Sequence, residues 1–564
     1  MSGILGTNFS GAHWRGITDR TELIARARSA RDALGHRGAD FSGDWYDDRF
    51  FLGQAEQGGL DSEVLGRLPL SSNKAAVTVI LDGHITNAHS LRQSLGNQHA
   101  FAGNAGAEVV AQAYLQWGFD DMLARLRGSF ALALYDRVNS RICLARDALG
   151  TRPLYYLHEE LASGEVGSLM FASELKAIEM LSEKSLLTVD YTAVYDYLTH
   201  RYVPAPKTLY NQVRKLGAGE SLSVDLLTGF SATQSYWQLP EPDPASYTTQ
   251  TEFIEHAREL LTAAVSNRLP TTGSQGPGVA GICQRSSGFA SWLNEHQPRV
   301  ELVSVASDDA SEPATIPDLD SHDLRGLFDE PFADVSFAAR DQLLAGLDGS
   351  STCAITDLGA EVVFGTAPRY RQVGAATPGT LGWFKSKLGS TPGGANSASS
   401  GATDAFNNYT RVLGGLTPQE KSRQKAAWDI PEDYNDYWYF QRFYRADLPR
   451  TLRFQWLDLQ TLVPEHLLTQ LDRQAARHGV EVRAPLLDQD LLSWLLGAPA
   501  EFRGPQLDVQ TMLLPEVEGS APILSRLKQS LKGAASFLPG AKNANAVEGT
   551  WPLLISRFPE LDRS

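Results

Sequence analysis

The second residue of this chain is the first that could do chemistry. The sequence opens MSGILG. A small residue at position 2 permits removal of Met1, and Ser2 would then carry a free α-amino group beside its own hydroxyl. An N-terminal Ser, Thr or Cys next to its amine is one route to a self-activated nucleophile. Other chemistry is sparse. Cys143, Cys283 and Cys353 lie far apart with no C-x-x-C pair. That spacing supports neither a disulfide framework nor a zinc site, and it fits a reducing cytoplasm. No Lys/Arg-rich run interrupts a formal net charge of −16, which argues against a nucleic-acid partner.

The elements that must position these residues can be read from apolar patterning. At 564 residues the chain calls for two or more domains. Segments 76–81 (AVTVIL), 129–135 (SFALALY) and 141–145 (RICLA) are short apolar runs between turn residues, as in sheet cores. Helical spacing appears at 108–117 and 252–265, and strand-like pieces at 300–306 and 352–355 follow. The alternation in the second half predicts an α/β domain with a parallel sheet. The stretch 386–405 reads as a flexible loop, and the last ~45 residues are weakly patterned. There is no signal peptide or membrane-length apolar run, so a cytoplasmic protein is expected.

The stretch RGSFALALYDRVNSRICLARDALGTRPLYY (127–156), followed by FASELKAI (171–178), resembles the glutamine-dependent asparagine synthetases. HRGAD (36–40), DGHITNAHSLRQSL (82–95), KLGAGESLSVD (215–225), FDEPFAD (328–334) and VEVRAPLLDQDLL (480–492) agree, in the family's order. The resemblance implies an N-terminal nucleophile hydrolase-like α/β sandwich that releases ammonia from glutamine. It also implies an ATP-pyrophosphatase-like domain that activates a carboxylate with ATP and magnesium. The expected division is 1–205 for the amidotransferase domain, 206–250 for a connection, 251–545 for the synthetase domain and 546–564 for a tail. Residues 436–468 look most like members linked to surface-polysaccharide or modified-sugar biosynthesis.

At the positions where the resemblance implies glutaminase chemistry, the residue types differ. Ser2 stands where the family has its nucleophilic cysteine, and a hydroxyl needs stronger base assistance than a thiol. The arginine that clamps the substrate carboxylate falls on Ala55 or Glu56. The oxyanion-hole asparagine is Asp82, followed by Gly83 and His84, and a carboxylate can only accept hydrogen bonds. The aspartate that holds the substrate amine is Gly106. Ser2 therefore also reads as a small residue packed at a buried terminus. His84 could be a new general base, although a polar surface residue is the preferred reading.

The ATP site differs in the same way. Gln284, Arg285 and Ser286 replace the Ser-Gly-Gly of the pyrophosphate loop, and Gly288 falls near its aspartate. Leu358 and Val362 replace acidic residues, and Glu361 stands at a magnesium position without partners. Thr511 takes a lysine position. Arg473, Arg483 and Asp488 read either as a residual pocket or, preferably, as buried ion pairs.

Three functions remain in view. The first is a non-catalytic homologue kept as a binding, scaffold or regulatory subunit, as a homo-oligomer or with an active paralogue or pathway enzyme. The second is an ATP-dependent amide ligase with remodelled loops. The third is an N-terminal serine amidohydrolase. The first accounts for core segments that persist while two unrelated sites change.

Overall fold

The computed structural model describes residues 1–14, 19–58, 69–72, 76–96, 101, 106–160, 166–241, 249–270, 278–283, 288–303, 327–332, 337–347, 351–375 and 397–497. Among the described residues twelve strands precede residue 236: β1 (Ser2–Asn8), β2 (Phe41–Tyr46), β3 (Phe50–Glu56), β4 (Leu70–Ser72), β5 (Val77–Ile85), β6 (Gly128–Asp136), β7 (Arg141–Arg146), β8 (Tyr155–Glu160), β9 (Val166–Ala172), β10 (Val213–Lys215), β11 (Glu220–Asp225) and β12 (Ser231–Ser235). They form two six-stranded antiparallel sheets, ordered β10-β8-β9-β1-β3-β2 and β12-β11-β7-β6-β5-β4. Alternate residues of FALALY explain the layering. Ala131, Ala133 and Tyr135 meet Ile4, Phe50 and Leu52 between the sheets, while Phe130, Leu132 and Leu134 face helices on the other side.

Residues 206–250, expected as a connection, contribute β10, β11 and β12 to these sheets. ESLSVD alternates as a half-buried strand does, with Leu222 and Val224 in the core. The Pro- and Gly-containing flanks conceal that pattern.

The second half carries a four-stranded sheet, β14-β13-β15-β16, from β13 (Gly278–Ile282), β14 (Val300–Val303), β15 (Ser351–Thr356) and β16 (Glu481–Arg483), all parallel. Helices pack around it. The one over Gln250–Ser266 starts at an N-cap threonine, Thr249, whose Oγ1 accepts from the Glu252 N–H (3.2 Å). Of the stretch expected as a loop, 397–405 begins the helix Ser397–Leu413. Buried Phe406 and Tyr409 anchor that helix, overriding its Ser- and Gly-rich start. Among the described residues no helix is long and apolar enough to cross a membrane.

The halves share an extensive seam. The aromatic stretch 434–444 divides there. Tyr437 and Phe440 are core, while Tyr434 Oη and Trp438 Nε1 donate to Asp196 of the N-terminal half.

Candidate functional site

Ser2 begins β1, opposite Glu56 of β3, and is buried. With Met1 in place its nitrogen is a peptide N–H, which donates to Asp82 Oδ1 at 3.1 Å. Its carbonyl accepts from Arg37 Nε at 3.0 Å. Gly83, next to Asp82, has φ +102, and a Cβ there would lie 2.0 Å from the Ser129 carbonyl oxygen, so β5 bends where only glycine fits. Gly106 opens the helix Gly106–Trp117, where a Cβ would meet Leu81 at 3.3 Å.

Arg37 organises the site. It is fully buried and spends all five of its N–H donors. Besides Ser2, Nη1 donates to Glu174 (3.0 Å) and Asp472 (2.7 Å), and Nη2 to Asp82 (2.9 Å) and Asp472 (2.9 Å). The fork on Asp472 is bidentate, the geometry in which Arg and carboxylate bind best. Asp82, at the expected oxyanion position, is thus one of three carboxylates neutralising a buried guanidinium. Burial disfavours the Arg37 charge, yet Asp472, Asp82 and Glu174 outweigh it and hold the group firmly protonated.

The network continues across the seam. Arg152 binds Asp472 at 2.9 Å, and Arg473 binds Glu174 at 2.5 Å and Asp329 at 3.3 Å. Lys215 binds Glu330 at 2.8 Å, and Arg146 binds Glu465 at 3.2 Å. Glu481 Oε1 accepts from Arg483 at 2.9 Å, while Oε2 lies 3.4 Å from the Met1 nitrogen. Burial raises the Glu174 and Glu481 carboxyls. Arg473 beside the first and Arg483 beside the second reverse that and hold both well below the ordinary range.

His84 corrects an expectation: it is buried at the seam, with Nδ1 3.0 Å from Glu481 Oε1. Burial, reinforced by Arg483, pushes its pKa down to about 3, so the ring is neutral. The cause is tertiary, since β16 closes over the end of β5. Glu56 lies half-buried beside Ser2, and burial lifts its carboxyl to about 7 against the pull of the N-terminal charge. Arg473 and Arg483 sit in buried ion pairs, and Asp488, only partly buried, accepts from Arg268 at 2.8 Å.

The second candidate site lies at the C-terminal ends of β13 and β15, where strand order reverses and sheets of this kind bind ligands. Gln284, Arg285, Ser286 and Thr511 fall outside the described residues, and Gly288 opens the helix Gly288–His296. Val362 is buried in the apolar core, and Leu358 packs against it. The Glu361 side chain is 56% exposed and lies 3.8 Å from Arg369, which Asp458 holds at 2.5 Å. Among the described residues no three His, Cys, Asp or Glu side chains could hold a metal ion. These residues do not fit magnesium, which needs several oxygen ligands in near-octahedral order.

Sequence reasoning passed over Arg37, Arg152, Glu174, Asp472 and Glu481 as individuals. Arg37, Arg152, Glu174 and Glu481 lie in the quoted motif segments and Asp472 stands next to Arg473, but the burial that pairs them comes from elements distant in sequence.

A glutamine amidotransferase domain matches residues 1–237, and an asparagine synthase domain matches residues 290–507. A putative glutamine-hydrolyzing asparagine synthetase of Mycobacterium tuberculosis is 30% identical over 220 residues, 36% of this chain and 31% of that one. The match thus spans under a third of that relative. Asparagine synthetase [glutamine-hydrolyzing] 1 of Bacillus subtilis is 23% identical over 90% of this chain and 83% of its own. A glutamine PRPP amidotransferase from B. subtilis overlays at a TM-score of 0.30 and 14% identity, covering 63% of this chain and 74% of that one, too loosely to carry an argument. Two antiparallel sheets under an amidotransferase match, then a parallel sheet under a synthase match, give an N-terminal nucleophile hydrolase-like sandwich joined to a synthetase domain, and the chain belongs to the asparagine synthetase family.

Proposed function

We propose that this chain is a non-catalytic member of its family, a cytoplasmic binding, scaffold or regulatory subunit, with an active paralogue or a polysaccharide- or metabolite-pathway enzyme as its partner. The observation that carries the proposal is the commitment of Arg37. A pocket that binds glutamine must offer donors to a carboxylate and to a developing oxyanion. Here the buried guanidinium beside Ser2 has no N–H left to offer, and Asp82 is an acceptor already in use. Supporting this, the described residues at the sheet's C-terminal ends bring apolar Leu358 and Val362 where the family has acids.

The test is ammonia release from millimolar glutamine, with pyrophosphate release from ATP plus aspartate, glutamate or uronic acids measured beside it. The wild type and Ser2→Cys are expected to show neither. Turnover by Ser2→Cys would mean that the pocket is intact and only the nucleophile differs. Activity confined to Ser2→Cys with Glu56→Arg and Asp82→Asn would place the loss in the pocket as well as the nucleophile. ATP-dependent pyrophosphate release by the wild type would favour a remodelled amide ligase.

One observation favours a second reading, the serine amidohydrolase. Ser2 and Glu56 are cross-strand partners on one face, and a carboxyl near pH 7 suits a general base. Covalent labelling of Ser2 by a fluorophosphonate, abolished by Glu56→Gln, would establish it over the first.

A further inference from the structure

Arg201 is the exception among the buried arginines. Nine arginines are buried among the described residues, and eight of them pair with a carboxylate, from Arg37 with its three to Arg268 with Asp488. Arg201 is the ninth. It is 4% exposed and has no ion pair among the described residues. Its Nη1 donates to the Leu413 carbonyl at 2.7 Å, while Nε and Nη2 are buried without a hydrogen-bond partner. An arginine cannot shed its proton to escape burial, so an unmet guanidinium is costly.

The backbone adds a second cost. Arg201 caps the helix Tyr191–His200 with φ +70 and ψ 7, the left-handed conformation that glycine ordinarily takes at a helix end. A long side chain is strained there. The surroundings explain the place but not the leftover donors. The helix Ser397–Leu413 ends against the same spot, where the Leu416 N–H donates to the Leu198 carbonyl at 2.7 Å. A Cβ on Gly415 would lie 1.9 Å from the Thr199 carbonyl oxygen, so the two helix ends meet backbone to backbone. Their dipoles favour a cation. The bond to Leu413 nevertheless leaves the Nε–Nη2 edge unused, and that edge can take two oxygens at once. Leu413 and Gly414 are only half-buried, which leaves a short route from solvent.

We propose that Arg201 forms a binding site for a small oxyanion, a phosphate or carboxylate group held bidentate on the Nε–Nη2 edge. Two coplanar oxygens match that edge, and their charge supplies what the fold leaves out. Strain and an unmet charge coincide at one residue. Both lower stability in the free protein, and both are put to use when an anion binds. A glycine at this position would relieve them together. Arg201 belongs to neither cleft considered above, and the inference holds whether or not either of those works.

Thermal unfolding of the full chain tests it, in sodium phosphate or sodium acetate from about 0.1 to 10 mM, with sodium chloride holding the ionic strength constant. At least one of the two anions should raise the wild-type melting temperature by about 2–4 °C over that range. A rise with phosphate alone identifies a phosphate group, and a rise with acetate identifies a carboxylate. Arg201→Gly removes both the strain and the unpaired charge, so it should melt above the wild type in chloride and show no rise with either anion. Arg201→Lys keeps the charge without the fork and should need about tenfold more anion for the same rise. A wild type indifferent to both anions would overturn the proposal and leave water on that edge. So would a rise that Arg201→Gly retains, or a glycine variant that melts below the wild type in chloride.

Discussion

The seam between the two halves and the crevice at the parallel sheet's C-terminal ends come from one family plan, yet they differ in kind. At the seam, segments that resemble the family keep their charges, and these charges meet: Arg37 of HRGAD, Glu174 of FASELKAI, Arg152 of the long apolar stretch, Asp329 and Glu330 of FDEPFAD, and Glu481 and Arg483 of VEVRAPLLD. At the crevice, Leu358 and Val362, where the resemblance implies acids, lie in or against the apolar core, and Glu361 faces solvent. A charge buried in a network is costly to change alone, because its partners are left unpaired. A charge that serves only a ligand has no such protein partners, so changing it costs the fold little. On the non-catalytic reading proposed above, the difference would explain how a motif persists for structural reasons without its chemistry.

The largest expected effect breaks the seam. Arg37→Met should cost about 3–5 kcal/mol in denaturant unfolding, because Asp82, Glu174 and Asp472 lose a shared partner. Arg37→Lys should not restore it, since an ammonium has three donors and no planar fork. A loss under 1 kcal/mol in the methionine variant would mean that the network is incidental.

An intermediate effect sharpens the comparison through pH. The Glu56 carboxyl is raised to about 7 in the folded chain, against about 4.3 in an unfolded one. Its contribution is therefore fully present below pH 4.3 and is lost as pH rises through 7. Glu56→Gln should match wild type near pH 4 and exceed it by about 1–2 kcal/mol at pH 8. A constant offset across that range would show that the carboxyl titrates normally.

The smallest effect is at the crevice. Glu361→Ala should change unfolding free energy by less than about 0.5 kcal/mol, as expected for an exposed carboxylate 3.8 Å from its cation. A cost of several kcal/mol would make the two regions alike and remove the contrast.

Both domains and their order were legible in the sequence because FALALY, RICLA and the spaced helical segments carry strong periodicity. The three strands within 206–250 were not, because short runs flanked by Pro and Gly look like linkers. At the site, Ser2, Asp82 and Gly106 could be singled out one by one as differing from the residues the resemblance implies. What they do could not. Asp82 read as a lost donor and is a partner of Arg37; His84 read as a surface residue and is covered by Glu481. Each depends on residues far off in sequence, which no local pattern reports.

The bonds from Arg37 to Asp472 join residues 435 apart, and that from Arg146 to Glu465 joins residues 319 apart. On a ribosome the first domain emerges with Arg37 already beside Asp82 and Glu174, while Asp472 and Glu465, the further partners of Arg37, Arg152 and Arg146, are not yet made. At roughly 5–20 residues per second, something on the order of ten to fifty seconds pass before Asp472 follows. During that interval water must solvate groups that end up dry. The sandwich therefore reaches its final form only when the far end of the chain arrives, and a ribosome stalled near residue 400 would hold an N-terminal half that is paired in its sheets and open to proteases along its charged face.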